Sequence, residues 1–453
     1  MEQVGNSSSS RLDLRVQLVV FSNGERCPML IDGATGIPLF DPTVWTLTTY
    51  RRRSASTMEQ ALRGAMLIHL FCARRGIDLA ERVQTGTFFD SCELDDLERE
   101  AARPVRVLAE SSALMMTADG DKASQTRATS PLKRNHTGFL RRLPSVAQLT
   151  SVDRRTTGVR LYYLREYIKW LGDRQSFMIG RDAEGNIEVD RCRKSYSAAL
   201  EKICVALTTR SGGVSGKSKR LALSPQQRKE LLRVTDPDFT DNPWRDPFVR
   251  LRNHLIILTF LCTGMRRGEL LSLKVRQIEM PLKRVSIVRN QDDKADPRRR
   301  QPAVKTYGRM VPLGHDLIAL THCYIRERAR IGGARKHGFL MVSETGRPLS
   351  LSALTLIFDD LRRAFPTLGP VTAHVLRHTW NEQFSDDADE IGMDPDEERR
   401  VRIELMGWSP TSAMPDYYLR RKTIAKAAET SEAMQRRIMR DSEAALQRMP
   451  DDG

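Results

Sequence analysis

Thr263-Gly264-Met265-Arg266-Arg267-Gly268-Glu269-Leu270 follows the apolar run 247–262 of a 453-residue chain, and its reading decides the architecture of the second half. The run before it is too long for a strand and predicts a buried helix. Gly264 supplies the turn that ends this helix, and a second helix is predicted over 266–274. Three residues apart on that helix, Arg266 and Glu269 can meet, so that the carboxylate orients the guanidinium. Such a pair alone describes many solvated helix surfaces.

Working outward, Ser224-Pro225-Gln226-Gln227 combines a capping serine, a proline at the first helical position and a returning glutamine, so a domain opens near residue 220. Periodicity predicts helices at 225–234, 315–330, 350–364, 372–385, 396–406 and 410–420, with a strand pair at 284–290 and 302–312. Within this frame lies Lys305-Thr306-Tyr307-Gly308-Arg309-Met310-Val311-Pro312-Leu313, a lysine at the start of a returning strand. In His374-Val375-Leu376-Arg377-His378, the imidazole of His374 and the guanidinium of Arg377 share a helical face while Val375 and Leu376 turn to the core. Met406-Gly407-Trp408-Ser409-Pro410 is followed, nine residues after the tryptophan, by Tyr417 and then Tyr418. Pro415 interrupts any helix running through this stretch, and the acidic segment Asp386 to Glu398 reads as a solvated face.

The first half is patterned differently. Residues 1–55 form an N-terminal extension with short β-prone stretches after a serine-rich leader at 1–10. A helical segment over 56–208 opens with a capping box at Ser56 and Glu59, whose helix closes at Gly76, and continues with helices at Leu94 to Arg103, 157–172 and 189–208. It is interrupted by a basic, weakly periodic insertion at 110–148 and ends in a joint at 209–219, Ser211-Gly212-Gly213-Val214-Ser215-Gly216-Lys217. Residues 426–453 read as a helical tail with Ala427, Met434 and Ile438 on one side.

With 73 Lys and Arg against 57 Asp and Glu, the net charge is +16, which makes a polyanion the natural partner. An apolar content of 40%, with 6% aromatic and 29% charged residues, excludes a membrane-spanning class, and the N-terminus carries no secretory pattern, so the cytosol is the expected compartment. Cys27, Cys72, Cys92, Cys192, Cys204, Cys262 and Cys323 form no C-x-x-C pair, which argues against a disulfide framework or zinc site. Cys72 and Cys262 read as small buried hydrophobes. No cofactor or metal is expected.

Phosphoryl transfer without a metal requires cations around the non-bridging oxygens, a nucleophile and an acid for the leaving oxygen. The segments above supply those groups, and together, in this order, they resemble the tyrosine recombinase (phage integrase) family, whose pattern is T-G-x-R-x-x-E-L, a hairpin lysine, H-x-L-R-H, then L-G-H/W and a tyrosine nine positions later. The resemblance covers about 220–425. More loosely, 56–208 looks like the family's helical core-binding domain, which clamps the opposite face of the duplex. It implies a mainly α fold with small β elements, in which that clamp accompanies a catalytic domain of the DNA breaking-rejoining type.

By the same resemblance, Arg266 and Arg377 bind the scissile phosphate, Lys305 protonates the departing 5′ oxygen, and His374 assists proton movement at the nucleophile. Trp408 donates its indole N–H or packs the pocket, Glu269 and His378 support, and Tyr417 attacks to give a 3′-phosphotyrosyl link without ATP. Tyr418 is the other candidate nucleophile and Lys294 the other candidate lysine, because the hairpin carries an extra charged stretch, Asp292 to Arg300. The implied partners are double-stranded DNA, three further copies in a homo-tetramer exchanging C-terminal tails, and accessory proteins. Competing readings are a catalytically silent DNA-binding regulator with the same fold, and a type IB topoisomerase or telomere resolvase sharing the chemistry. A metal-dependent nuclease fits worst, for want of a carboxylate cluster with motif spacing.

Overall fold

The computed structural model describes residues 13–104, 151–179, 187–211 and 222–446. The leader at 1–10, the basic insertion at 110–148 and most of the joint at 209–219 lie outside them. The chain divides into two compact units, Met1–Lys217 and Ser218–Gly453.

In the first unit, β1 (Leu14–Val20) and β2 (Arg26–Asp32) pair antiparallel, with Leu14 opposite Asp32 and Val20 opposite Arg26. Helices α1 (Phe40–Tyr50), α2 (Ala55–Arg75), α3 (Leu79–Thr85), α4 (Ser91–Ala101), α5 (Arg154–Met178) and α6 (Ile187–Ser211) follow. The sequence reading separates 1–55 from the helices after it, yet Leu14, Leu30 and Trp45 share one core with Leu62, Ile68 and Phe71 of α2 and Leu164 and Tyr167 of α5. A two-stranded hairpin has too little surface to stand alone, and its apolar face finds cover on α2. The cap of α2 is Ser54, which accepts from Thr57 N–H, rather than Ser56. A capping box lies two helices later, where Asp90 caps α4 together with Glu93.

The second unit contains α7 (Pro225–Thr235), α8 (Pro247–Thr263), α9 (Arg267–Ser272), β3 (Ile278–Glu279), β4 (Arg284–Ile287), β5 (Arg309–Pro312), α10 (His315–Arg330), α11 (Leu351–Ala364), α12 (Ala373–Glu390), α13 (Pro395–Met406) and α14 (Met414–Leu446). It is the mainly helical domain with a small sheet that the pattern implies. Ser224 and Gln227 make the capping box read from sequence. Leu255, Ile256 and Phe260 of α8 are fully buried at the centre of its core, with Phe358 and Leu361 of α11 and Leu376 of α12 in the same cluster.

The strands order β3-β4-β5 and are shorter than the predicted pair. Between β4 and β5 the chain makes an excursion instead of continuing the ladder. Its charged residues are partly structural: Arg298 donates to the carbonyls of Leu271 and Leu349, pairs with buried Asp296 at 2.7 Å and stacks on Phe339. Backbone groups of the excursion bond side chains in place of a ladder: Asp293 N–H donates to Gln301 Oε1, Arg298 N–H to Asp296 Oδ1, and Asn290 O accepts from Gln301 Nε2.

Further expectations are corrected. Pro415 does not disturb a helix. It sits in the first turn of α14, where a missing N–H removes no helical bond. The tail read as helical from 426 is helical as far as Leu446 and continues α14, which begins at Met414. Cys262 is exposed, whereas Cys72 is buried. Glu398, read as part of a solvated acidic face, is buried beside fully buried Arg402. Among the described residues no helix is long and apolar enough to cross a membrane.

Candidate active site

The site grows from two helix ends. Gly264 closes α8 with φ +59, a backbone state that suits glycine, and a Cβ there would lie 2.7 Å from Met406 Cε. Gly407 closes α13 with φ +60, and its Cβ would lie 2.7 Å from Arg309 Nη1. Both close approaches let guanidinium groups reach helix-terminal carbonyls, which a helix leaves without internal partners. Arg377 Nη1 donates to Gly264 O. Arg309 Nε donates to Leu405 O at 2.7 Å, and Arg266 Nη1 lies 3.4 Å from Met406 O.

Glu269 holds these cations together, though not as its sequence spacing implies. Its contact with the Arg266 guanidinium is 3.5 Å, at the limit of a bond, while it accepts the Arg266 backbone N–H at 3.0 Å. Its strong partners come from the hairpin: Arg309 Nη2 at 2.9 Å and Thr306 Oγ1 at 2.6 Å. Burial alone would raise the Glu269 carboxyl, but the bond and charge of Arg309, with further help from Arg377 and Thr306, hold it below the usual carboxylate range. Sequence reasoning missed Arg309 and Thr306. The available signal was the alternation in β5, where Arg309 and Val311 both point inward.

Arg377 is buried, and its guanidinium lies 5.5 Å from the Trp408 ring centre. Burial, with repulsion from Arg266, pushes it down to about 9, and burial likewise lowers Arg266 against the opposing pull of Glu269. Two donors here are buried without a hydrogen-bond partner among the described residues, Arg377 Nη2 and Trp408 Nε1. Unsatisfied buried donors are rare and costly, and such groups cluster where a ligand is to be bound.

Below the tryptophan, Tyr418 stacks on Trp408 with centroids 6.0 Å apart, and its hydroxyl lies 2.8 Å from His378 Nδ1. His378 Nε2 is 3.0 Å from Nε2 of His374, which is exposed. Behind Tyr418, the guanidinium of Arg402 lies 5.4 Å from its ring and is bonded to Glu398, Ser385 and Asn381 O. The structure therefore brings together Arg266, Glu269, His374, Arg377, His378 and Trp408. Lys305 is exposed between buried Val304 and Thr306, and Lys294 is exposed on the excursion. Tyr417 lies in the first turns of α14, with its side chain outside those described, and the phenol seen in the cluster is Tyr418. Among the described residues no group of three or more His, Cys, Asp or Glu is arranged to hold a metal.

Guanidinium and indole donors thus stand beside a phenol and two imidazoles. Residues 223–420 match the phage integrase family, and this segment is a domain of that family. The tyrosine recombinase XerC of Staphylococcus haemolyticus (strain JCSC1435) is 27% identical over 135 residues, which cover 29% of this chain. The chain spans 39% of the length of that relative. Among solved structures, a XerH site-specific recombinase bound to a palindromic difH substrate shares 16% identity over 62% of this chain and 83% of that one, with a TM-score of 0.38. The XerA recombinase shares 18% identity over 55% of this chain and 77% of that one, with a TM-score of 0.32.

Proposed function

We propose that the protein is a tyrosine-type site-specific DNA recombinase, which cuts and rejoins duplex DNA through a 3′-phosphotyrosyl intermediate without metal or ATP. One observation carries the reading: Arg377 Nη2 and Trp408 Nε1 are buried donors with no described partner, beside a second guanidinium that repels the first. A phosphate diester entering there relieves both costs. Its non-bridging oxygens accept the idle N–H groups, and its negative charge offsets the repulsion between Arg266 and Arg377. The pentavalent transition state carries more charge on those oxygens than the ground state, so the same groups favour it further.

Tyr417, nine positions after Trp408, attacks the phosphorus, and the phosphate ester formed conserves the energy of the bond broken. Lys305 protonates the 5′ oxygen as it leaves, which an exposed ammonium on a hairpin arm is able to reach. The partner is double-stranded DNA in the cytosol, held by a homo-tetramer that exchanges the C-terminal part of α14, with accessory proteins choosing direction. The helical first unit clamps the duplex.

The test uses nicked duplexes tiled across the DNA flanking the gene, incubated with the full chain in EDTA and resolved under denaturing conditions. A protein–DNA adduct is expected, and Tyr417→Phe abolishes it. DNA binding without an adduct on any duplex would instead support a silent DNA-binding regulator.

A further inference from the structure

Tyr418 is the one described phenol in the site, and with Tyr417 taken as the nucleophile it is left without a task. It is buried, stacked on Trp408, close to the Arg402 guanidinium, and tied to His378, which in turn touches His374. Tyr418, His378 and His374 form a chain of two hydrogen bonds running from a buried phenol to an exposed imidazole. The direction of one bond in such a chain dictates the other, because each neutral imidazole carries a single proton.

A phenol, ionising at about 10, is a better donor than a neutral imidazole N–H, and an imidazole nitrogen is a better acceptor than a phenol oxygen. Tyr418 therefore donates to His378 Nδ1. The His378 proton then resides on Nε2, which donates to His374 Nε2 and leaves the His374 proton on Nδ1. Among the charged groups that interact with Tyr418 are Arg266, Arg377 and Arg402, the last paired with Glu398, and these cations favour electron density on the Tyr418 oxygen.

We propose that Tyr418 is a positioning residue that acts through His378 to fix the tautomer of His374, so that His374 presents an Nδ1–H donor to a phosphate oxygen. This rests on the recombinase reading and alters one part of it: His374 enters the reaction as a hydrogen-bond donor before it handles any proton.

The test compares Tyr418→Phe with the parent full-length protein. Nitrogen-15 NMR of labelled histidines reports tautomers directly. The parent should show Nε2-protonated His378 and Nδ1-protonated His374, and the variant a mixture at both. DNA affinity should stay within about twofold while adduct formation slows about 10- to 100-fold, the range lost with a single oriented donor. His378→Asn provides a second route: its amide still reaches Tyr418 but not His374, and it should slow adduct formation equally. An unchanged tautomer pattern or an unchanged rate in Tyr418→Phe overturns the proposal. An adduct that survives Tyr417→Phe and is lost in Tyr418→Phe overturns it as well, making Tyr418 the nucleophile. If no DNA yields an adduct while the tautomers respond as expected, the recombinase reading fails and the positioning role stands.

Discussion

In the unit ending at Lys217, one polar pair between helices is neutral: His69 Nε2 lies 3.1 Å from the Tyr167 hydroxyl, burial holding the imidazole down to about 4 and raising the phenol. In the unit beginning at Ser218, the corresponding depth is charged, with Glu269, Arg309, Arg377, Glu398 and Arg402 all buried. Packing alone accounts for the first arrangement. The second opposes folding, because desolvating an ion costs several kcal/mol and only good pairing recovers it. At Arg377 the recovery is incomplete, since its Nη2 has no described partner beside the second guanidinium of Arg266, and on the function proposed above a phosphate completes it.

The sharpest way to break this contrast is Arg377→Met. If the buried guanidinium serves a phosphate and not the fold, adduct formation should fall by at least about 100- to 1,000-fold. The urea midpoint should hold or rise, since a methionine of similar length avoids the cost of a poorly paired ion. A large loss of stability would mean that Arg377 is structural.

Glu398→Ala should behave in the opposite way. Its partner Arg402 is fully buried, and removing one member of such a pair costs about 3–5 kcal/mol. Chemical denaturation should show this loss first in the second unit.

In the first unit, pH is the probe. The folded His69 binds a proton less readily than the unfolded one, so its contribution is complete above about pH 6.5 and is lost as the pH falls towards 4. The shift corresponds to about 3 kcal/mol across that window. Hydrogen exchange in α2 should accelerate there, and a His69→Phe protein should not show the change.

The smallest effect sharpens a local point: Ser54→Ala should cost about 1 kcal/mol as a lost cap, and Ser56→Ala nothing measurable.

Most of the helices of the second unit could be read from the chain, and their ends agree closely where a local signal exists, as at Ser224 and Gly264. The strands were overestimated because β-prone residues at Val288 and at Val304 to Tyr307 flank a charged stretch whose backbone N–H groups, at Asp293 and Arg298, bond to the side chains of Gln301 and Asp296 instead of to a neighbouring strand. In the site, the residue types and order were visible, but their pairings were not. Spacing of three residues suggested that Glu269 serves Arg266, whereas Arg309, 40 residues away, takes most of it.

What the order of residues determined by itself was everything decided within a few positions: caps, helix-ending glycines, the placing of a guanidinium and an imidazole on one turn at 374–378, and the motif order that marks the family. Only the tertiary structure decided which carboxylate meets which cation, that Glu398 and Arg402 go inside, and that Tyr418 enters the cluster. The reason is physical. Caps and turns are chosen by bonds a residue makes to its own neighbours, but an ion or a phenol takes the best partner within a few ångströms, and folding selects that partner from the whole chain.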